Sequence, residues 1–171
     1  VLNIQPELLL VSDEIIYTIG AHKLCAALIE RSAELDFWRI HDPMLRERLF
    51  KLKSPDIIPI LKKAFDNTHS VSQKEMATAI IRECALHELE ETLVSVFNNP
   101  SENLSLRKMA GYALSEFASS DARIKCKKIL SENNCSLDLK GVLFKMSWPD
   151  LISIQEIAPH LDFKDRHAID A

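Results

Sequence analysis

The stretch SLRKMAGYALSEF, residues Ser105–Phe117, decides the fold class because its apolar side chains recur with the period of an α-helix. Over three turns they return at Leu106, Met109, Ala110, Ala113, Leu114 and Phe117. Residues spaced by three and four positions lie on one side of a helix. The stretch therefore predicts an amphipathic helix that buries one face.

Stripes of the same period precede and follow this helix. They lie in the segments 57–65, 73–84, 89–97, 122–130, 139–146 and 149–161. The first has a well-marked start, because Ser54 can cap it and Pro55 suits the first helical position. The negative charge of Asp56 favours the positive end of the helix dipole. We expect Pro149–Asp150 to open the last of these helices in the same way.

Equivalent residues recur at a nearly constant interval. Phe65, Phe97 and Leu130 end alternate helices, and Met76 and Met109 occupy matching places in the helices between them. The resulting period, roughly 32 residues, is typical of two-helix units, each of which covers the apolar face of the next. The predicted fold is all-α: a right-handed α-solenoid of stacked antiparallel helix pairs.

One helix-to-helix corner occurs twice. LRERLFKLKSPDIIPI (Leu45–Ile60) matches LKGVLFKMSWPDLISI (Leu139–Ile154) without a gap, about three repeats later. Pro55, Asp56, Trp148, Pro149 and Asp150 are therefore predicted to be structural corner residues. We expect Trp148 to plug a gap between stacked units, and Asp56→Ala or Asp150→Ala to cost about 0.5–1 kcal/mol of stability.

The predicted organisation is a single helical-repeat domain over residues 1–171. Residues 1–44 form a less regular helical part, 45–161 the repeat array and 162–171 a polar tail. In the first part, Ser12 marks a helix start and the apolar pattern passes through Gly20, which predicts one or two helices. An apolar cluster at Leu35, Phe37, Trp38 and Ile40 is interpreted as a packed linker. Because the chain begins at Val1, we expect it to be a piece of a longer one.

The net charge and the cysteine pattern limit which partners and which cellular compartment are expected. A net charge of -4 disfavours nucleic acid, whose binding surfaces are usually basic. The apolar run Leu8–Val11 is too short to span a membrane, so no membrane partner is expected. Four cysteines without a CxxC pair fit free thiols in a reducing compartment. These features predict a cytoplasmic protein.

Candidate chemistry is sparse. His22 and Cys25 lie on one predicted helix face, but no second ligand pair has a supporting spacing. His160, Asp162, Asp165 and His167 form a polar cluster near the end, and Glu83, Glu88, Glu90 and Glu91 form an acidic corner that we interpret as a solvated turn. Arg107 and Lys108 are candidates to point into the groove of the array. The prediction is no catalytic residue, no cofactor and no metal.

Two resemblances extend this interpretation. The array, and Ser105–Phe117 in particular with its early Arg107, resembles HEAT-type repeats over roughly Leu45–Leu161. More narrowly, LKGVLFKMSWPDLISIQEIAPHL (Leu139–Leu161) resembles part of the helical-repeat region of large bacterial NACHT or STAND-type NTPases, which sense an invader and oligomerise. This resemblance implies a helical sensor or spacer segment, with Trp148, Pro149 and Asp150 as corner residues.

The predicted function is a non-enzymatic scaffold for protein–protein interaction, with an unidentified protein as partner. Repeat arrays expose extended rigid surfaces, and exposed repeat ends favour self-association. Two alternatives remain open at this point. One is an enzyme built on HEAT-like repeats, such as a bilin lyase-like or DNA-glycosylase-like protein, and the other is a stand-alone adaptor.

Overall fold

The computed structural model describes residues 6–34, 43–131 and 136–160, and over these ranges the chain is helical and contains no strand. The all-α prediction is confirmed. The α-helices are α1 (Pro6–Leu9), α2 (Asp13–Ile19), α3 (Ala21–Ser32), α4 (Pro43–Leu49), α5 (Ile58–Lys63), α6 (Val71–Cys84), α7 (Glu90–Asn98), α8 (Leu104–Phe117), α9 (Ser120–Cys126), α10 (Leu137–Ser147) and α11 (Ile154–Ile157). Short 3₁₀ turns at Phe50–Leu52, Pro55–Ile57, His87–Leu89, Lys127–Ser131 and Ala158–His160 extend or introduce several of them.

The helix ends follow from local chemistry. Ser70 and Gln73 form a reciprocal capping box at the start of α6, and the side chain of Asn103 accepts a hydrogen bond from Ser105 N–H at the start of α8. Gly20 separates α2 from α3 with a φ of +93°, a value that side chains with a Cβ rarely adopt. The apolar pattern that passes through the glycine therefore belongs to two helices.

The even-numbered helices in the middle of the chain repeat at a constant interval. Helices α6, α8 and α10 begin at Val71, Leu104 and Leu137, which are evenly spaced along the sequence. Helix α4 packs on α6, α6 on α8, and α8 on α10, while α7 packs on both α8 and α9. The buried hydrophobic cluster runs through this stack from Leu10 to Ile152.

Three helices approach one another closely at Gly111 of α8. A Cβ at this position would lie 2.6 Å from Phe97 Cε2 and 2.5 Å from Val142 Cγ1. The glycine therefore lets α7 and α10 both approach α8. Gly141 of α10, by contrast, has nothing within 4 Å of the corresponding point.

The predicted start of the last helix, at Pro149–Asp150, was wrong. Helix α11 begins at Ile154, and Ser153 caps it through a capping box with Glu156. Pro149 and Asp150 lie in the turn that precedes it. No helix starts at Asp150 because Leu151 N–H and Ile152 N–H both donate to Ser147 O, which closes a turn over these residues.

Candidate functional site

The first corner is a helix start, as its sequence indicates. Ser54 Oγ accepts a 3.3 Å hydrogen bond from Asp56 N–H, and Pro55 takes the first position of the 3₁₀ turn that leads into α5. Asp56 is exposed in that first turn. Pro55 and Asp56 therefore have a structural role here, at the start of the helical segment that leads into α5.

The second corner differs from the first at Trp148. Its N–H donates a 2.8 Å hydrogen bond to Phe144 O, so Trp148 stays attached to the last turn of α10, and its peptide bond to Pro149 is cis. The residue is 50% exposed. Half of the Trp148 surface is therefore in contact with solvent, and the expectation that Trp148 plugs a gap between units stays a prediction.

A second exposed aromatic residue lies on the neighbouring helix. Tyr112 of α8 is 36% exposed, and Lys145 Nζ of α10 stands 5.3 Å from the centre of its ring. A cation over an aromatic face at this distance is attractive. Lys145 precedes Trp148 by three residues, so both project from the same end of α10. We call Tyr112, Lys145 and Trp148 the α8–α10 surface.

The charges that flank this surface on α8 are paired with residues of the neighbouring helices α10 and α6. Lys108 Nζ lies 2.8 Å from Asp138 of α10, and Glu116 accepts a 2.7 Å hydrogen bond from Arg82 Nε of α6. Lys108 and Glu116 stand four residues before and after Tyr112 on the exposed side of the helix. Among the described residues no carboxylate forms an ion pair with Lys145. The surface therefore combines two accessible rings with a cation.

Arg107 does not point into a groove. Its side chain is buried, and its Nε donates a 2.9 Å hydrogen bond to Phe97 O at the end of α7. This bond supplies a partner to a helix-end carbonyl that has none within its own helix. Arg107 therefore holds α7 against α8, and only Lys108 of the predicted pair reaches the surface.

The acidic corner is solvated only in part: Glu88 is exposed and the Glu91 side chain is 71% exposed, but three of the four carboxylates contact other elements. Glu83 accepts a 2.8 Å hydrogen bond from Arg46 Nε of α4, and Glu91 forms an ion pair with Lys125 of α9. Glu90 Oε2 accepts a 2.7 Å hydrogen bond from the Ser119 hydroxyl. These three carboxylates contact α4, α9 and Ser119 just before α9, so the corner joins separate helices.

One carboxylate is buried without full compensation. Glu75 of α6 is 1% exposed, and its Oε1 has no hydrogen-bond partner. Burial raises the pKa of Glu75, and a hydrogen bond from the Ser105 side chain offsets only part of that effect. We therefore expect the packing of α6 on α8 to respond to the protonation of Glu75.

The thiols of the described residues are buried and free. Cys25, Cys84 and Cys126 form no disulfide, and burial raises the pKa of each to about 12. A thiol with so high a pKa is rarely the reactive thiolate at neutral pH. Cys135 and the linker cluster around Trp38 lie outside the described residues.

The predicted ligand clusters are not brought together in the part of the chain that the structure describes. No group of three or more His, Cys, Asp or Glu side chains there converges on a point that could hold a metal ion. Cys25 is buried in α3, whereas His22 is exposed. The side chains of the cluster from His160 to His167 lie outside the described residues.

Sequence reasoning missed Tyr112. The available signal was its place midway between Lys108 and Glu116 on the polar side of a strongly amphipathic helix, where an aromatic residue is unexpected.

Comparison of the chain with protein-family models, with curated proteins and with solved structures finds no match in any of the three. Across residues 6–34, 43–131 and 136–160, every helix is too short or too polar to cross a bilayer.

Proposed function

We propose that this protein is a non-enzymatic helical-repeat scaffold that binds a protein partner through the α8–α10 surface. The observation that carries the proposal is the exposure of Tyr112 and Trp148 beside Lys145, on adjacent helices of a packed stack. Tyrosine and tryptophan are enriched where proteins meet, because they offer a large rigid contact area. The flanking Lys108 and Glu116 already have partners.

The chemistry of this surface defines the partner. Two aromatic rings favour apolar side chains, and the ammonium group of Lys145 favours a carboxylate at the edge of the contact. A segment that combines apolar residues with an Asp or Glu fits both requirements. The partner is therefore an acidic, partly apolar protein segment.

We infer that the helix pairs stack as a right-handed α-solenoid of the HEAT type. The even spacing of the starts of α6, α8 and α10 supports this, as does the packing of each even-numbered helix from α4 to α10 on the next. Ion pairs between units, such as Arg46–Glu83 and Lys108–Asp138, add to the support. A crystal structure of the protein tests the handedness, and a left-handed or closed packing would contradict it.

The wider role proposed is that of a sensor or spacer segment in a STAND-type ATPase of the bacterial cytoplasm. It rests on the resemblance of Leu139–Leu161 to the helical-repeat region of those proteins. The free, buried thiols of Cys25, Cys84 and Cys126 support a reducing compartment. Sequencing the gene beyond the codon for Val1 tests the role: an ATPase module with a phosphate-binding loop in the same reading frame supports it, and a stop codon directly upstream contradicts it.

Affinity capture from the native host tests the binding proposal. The bait is the wild-type protein, Trp148→Ala, Lys145→Glu, or one of two control variants, Tyr17→Ala and Lys63→Glu, which alter exposed residues far along the chain. We expect one protein to be retained by the wild type and both controls and lost from the other two variants. Direct binding of that purified protein must then reproduce the pattern, and equal binding by all five baits would refute the proposal.

A further inference from the structure

A cleft of about 240 Å³ lies where the first corner meets the corner that follows α6. It is lined by Lys53, Ser54, Pro55, Ile58, Ala85, Leu86, His87 and Glu88. Pro55, Ile58 and Leu86 give the lining an apolar part, and the exposed residues Lys53 and Glu88 add one charge of each sign. Among the described residues, the His87 imidazole is the only aromatic ring that lines it.

The next corner along the chain shows what occupies the corresponding place. Phe117, the last residue of α8, lays its ring edge-on against the His87 ring, with 5.4 Å between the centroids and 84° between the planes. His87 follows Pro55 by one repeat period. Where the corner after α6 meets the corner after α8, the chain therefore supplies its own aromatic ring.

The first corner lacks that ring for a reason visible in the helix ends. Cys84 ends α6 one repeat period before Phe117 ends α8, and its thiol turns inward to donate to Leu49 O. The next residue, Ala85, carries only a methyl group and lines the cleft. Neither side chain reaches across to Pro55 as Phe117 reaches to His87.

The place where the corners after α6 and α8 meet is also closed by polar contacts, which the first corner cannot form. Glu90 accepts hydrogen bonds from Ser119 N–H at 3.1 Å and from the Ser119 hydroxyl at 2.7 Å. The residue one period before Glu90 is Ile58, whose side chain has no polar atom to offer. At the first corner, the aliphatic side chain of Ile58 thus stands where Glu90 forms hydrogen bonds one repeat later. An aliphatic side chain suits contact with an aromatic ring.

We propose that this cleft binds an aromatic side chain of the protein partner, in the place that Phe117 fills one repeat later. The proposal rests on the protein-binding function proposed above and adds a second anchor to it. Aromatic anchors inserted into preformed pockets are a common source of binding energy between proteins. The rim charges of Lys53 and Glu88 also leave room for a ring that carries a polar tip, as in tyrosine.

The test uses a small probe so that it does not depend on knowing the partner. N-acetyl-phenylalanine amide is titrated into the ¹⁵N-labelled protein, with N-acetyl-leucine amide as the aliphatic control. We expect saturable shifts of the Ala85, Leu86 and Ile58 amide signals with the phenylalanine probe at millimolar concentration, and at least about tenfold weaker binding of the leucine probe. Equal binding of both probes, or shifts confined to the neighbourhood of Trp148, would overturn the proposal.

Two variants that fill the cleft give a second readout. Ala85→Phe adds a ring at the end of α6, and Ile58→Trp fills the cleft from the opposite wall if the first variant does not fold. Each should weaken probe binding at least about tenfold, whereas Ile124→Phe, at an exposed position on α9, should leave it unchanged. Undiminished probe binding in a folded filled variant would refute the proposal.

The failures of the two proposals are distinguishable. Probe titration needs no partner, and partner contact at Tyr112 and Trp148 needs no cleft. If the aromatic probe does not bind the cleft while the partner still contacts Tyr112 and Trp148, only the cleft proposal is overturned. A positive probe result without partner contact overturns the α8–α10 surface instead.

Discussion

Gly111 of α8 lies so close to Phe97 of α7 that a Cβ on the glycine would stand 2.6 Å from the Cε2 atom of the phenylalanine. Phe97 is fully buried, so its ring has no free space into which it could move. Val142 of α10 closes the other side at 2.5 Å. Three helices therefore meet where only a hydrogen atom fits.

This geometry predicts opposite effects for two glycine-to-alanine changes. Gly111→Ala should lower the free energy of unfolding by about 1–2 kcal/mol, because overpacking outweighs the gain in helix propensity. Gly141→Ala, at the open position on α10, should raise it by about 0.5–1 kcal/mol. Urea denaturation measures both, and a stabilising Gly111→Ala would show that α7 and α10 do not pack as described.

Ala85, the residue that follows α6, has a φ of +48°, in the left-handed region that favours glycine. Ala85→Gly should therefore raise the free energy of unfolding by up to about 1 kcal/mol, since relief of strain exceeds the entropy lost on folding. The matched change Ala118→Gly, at the extended end of α8, should lower it by about 1 kcal/mol. Thermal unfolding would refute this account if both variants moved the midpoint in the same direction.

The two corners should respond differently to loss of a polar side chain. Ser54→Ala should cost about 1 kcal/mol because Ser54 caps the first corner. Asp150→Ala should change the free energy of unfolding by less than about 0.5 kcal/mol, since Asp150 lies in a turn and caps no helix. This value replaces the equal costs that the sequence predicted for Asp56 and Asp150. A cost for Asp150→Ala as large as that for Ser54→Ala would restore the original prediction.

Glu75 gives the protein a pH dependence whose sign is fixed by its burial. Because the pKa of Glu75 is higher in the folded than in the unfolded state, the folded state binds more protons above pH 4.5. Stability therefore falls as pH rises from there through the folded-state pKa. Glu75→Gln should be more stable than the wild type at pH 7 and should lose this decline.

The control for this experiment is Glu47→Gln, which removes the same charge from an exposed position on α4. Denaturation curves at several pH values compare the three proteins. The account is wrong if the wild type and Glu75→Gln decline in parallel as pH rises, or if Glu47→Gln abolishes the decline equally well.

The sequence was most informative where periodicity and burial agree. In α8 the apolar residues recur every three or four positions on one side, and the helix found there, Leu104–Phe117, begins two residues before the first apolar residue of its stripe. At Pro149–Asp150 the same local signal misled, because backbone hydrogen bonds to Ser147 O decide where the turn closes. Capping residues therefore indicate where a helix could start, and the hydrogen bonds at the end of the preceding helix decide which of these starts is used.

The candidate surface was harder to predict than the fold. The sequence singled out Trp148, but its exposure depends on how α10 lies against α8, which periodicity does not report. Arg107 and Lys108 are adjacent in sequence, yet one is buried against Phe97 O and the other pairs with Asp138. Pairings between residues far apart in sequence, such as Lys108–Asp138, depend on how the helices pack on one another.

Site-specific photo-crosslinking in the native host tests the central claim most directly. A benzoylphenylalanine replaces Tyr112, Trp148 or, as control, Tyr17, which at 91% exposure is the more accessible residue. We predict that positions 112 and 148 both crosslink to the same protein, that excess wild-type protein competes the crosslink away, and that position 17 does not crosslink to it. Equal crosslinking at position 17, or none at positions 112 and 148, would contradict a binding surface on α8 and α10.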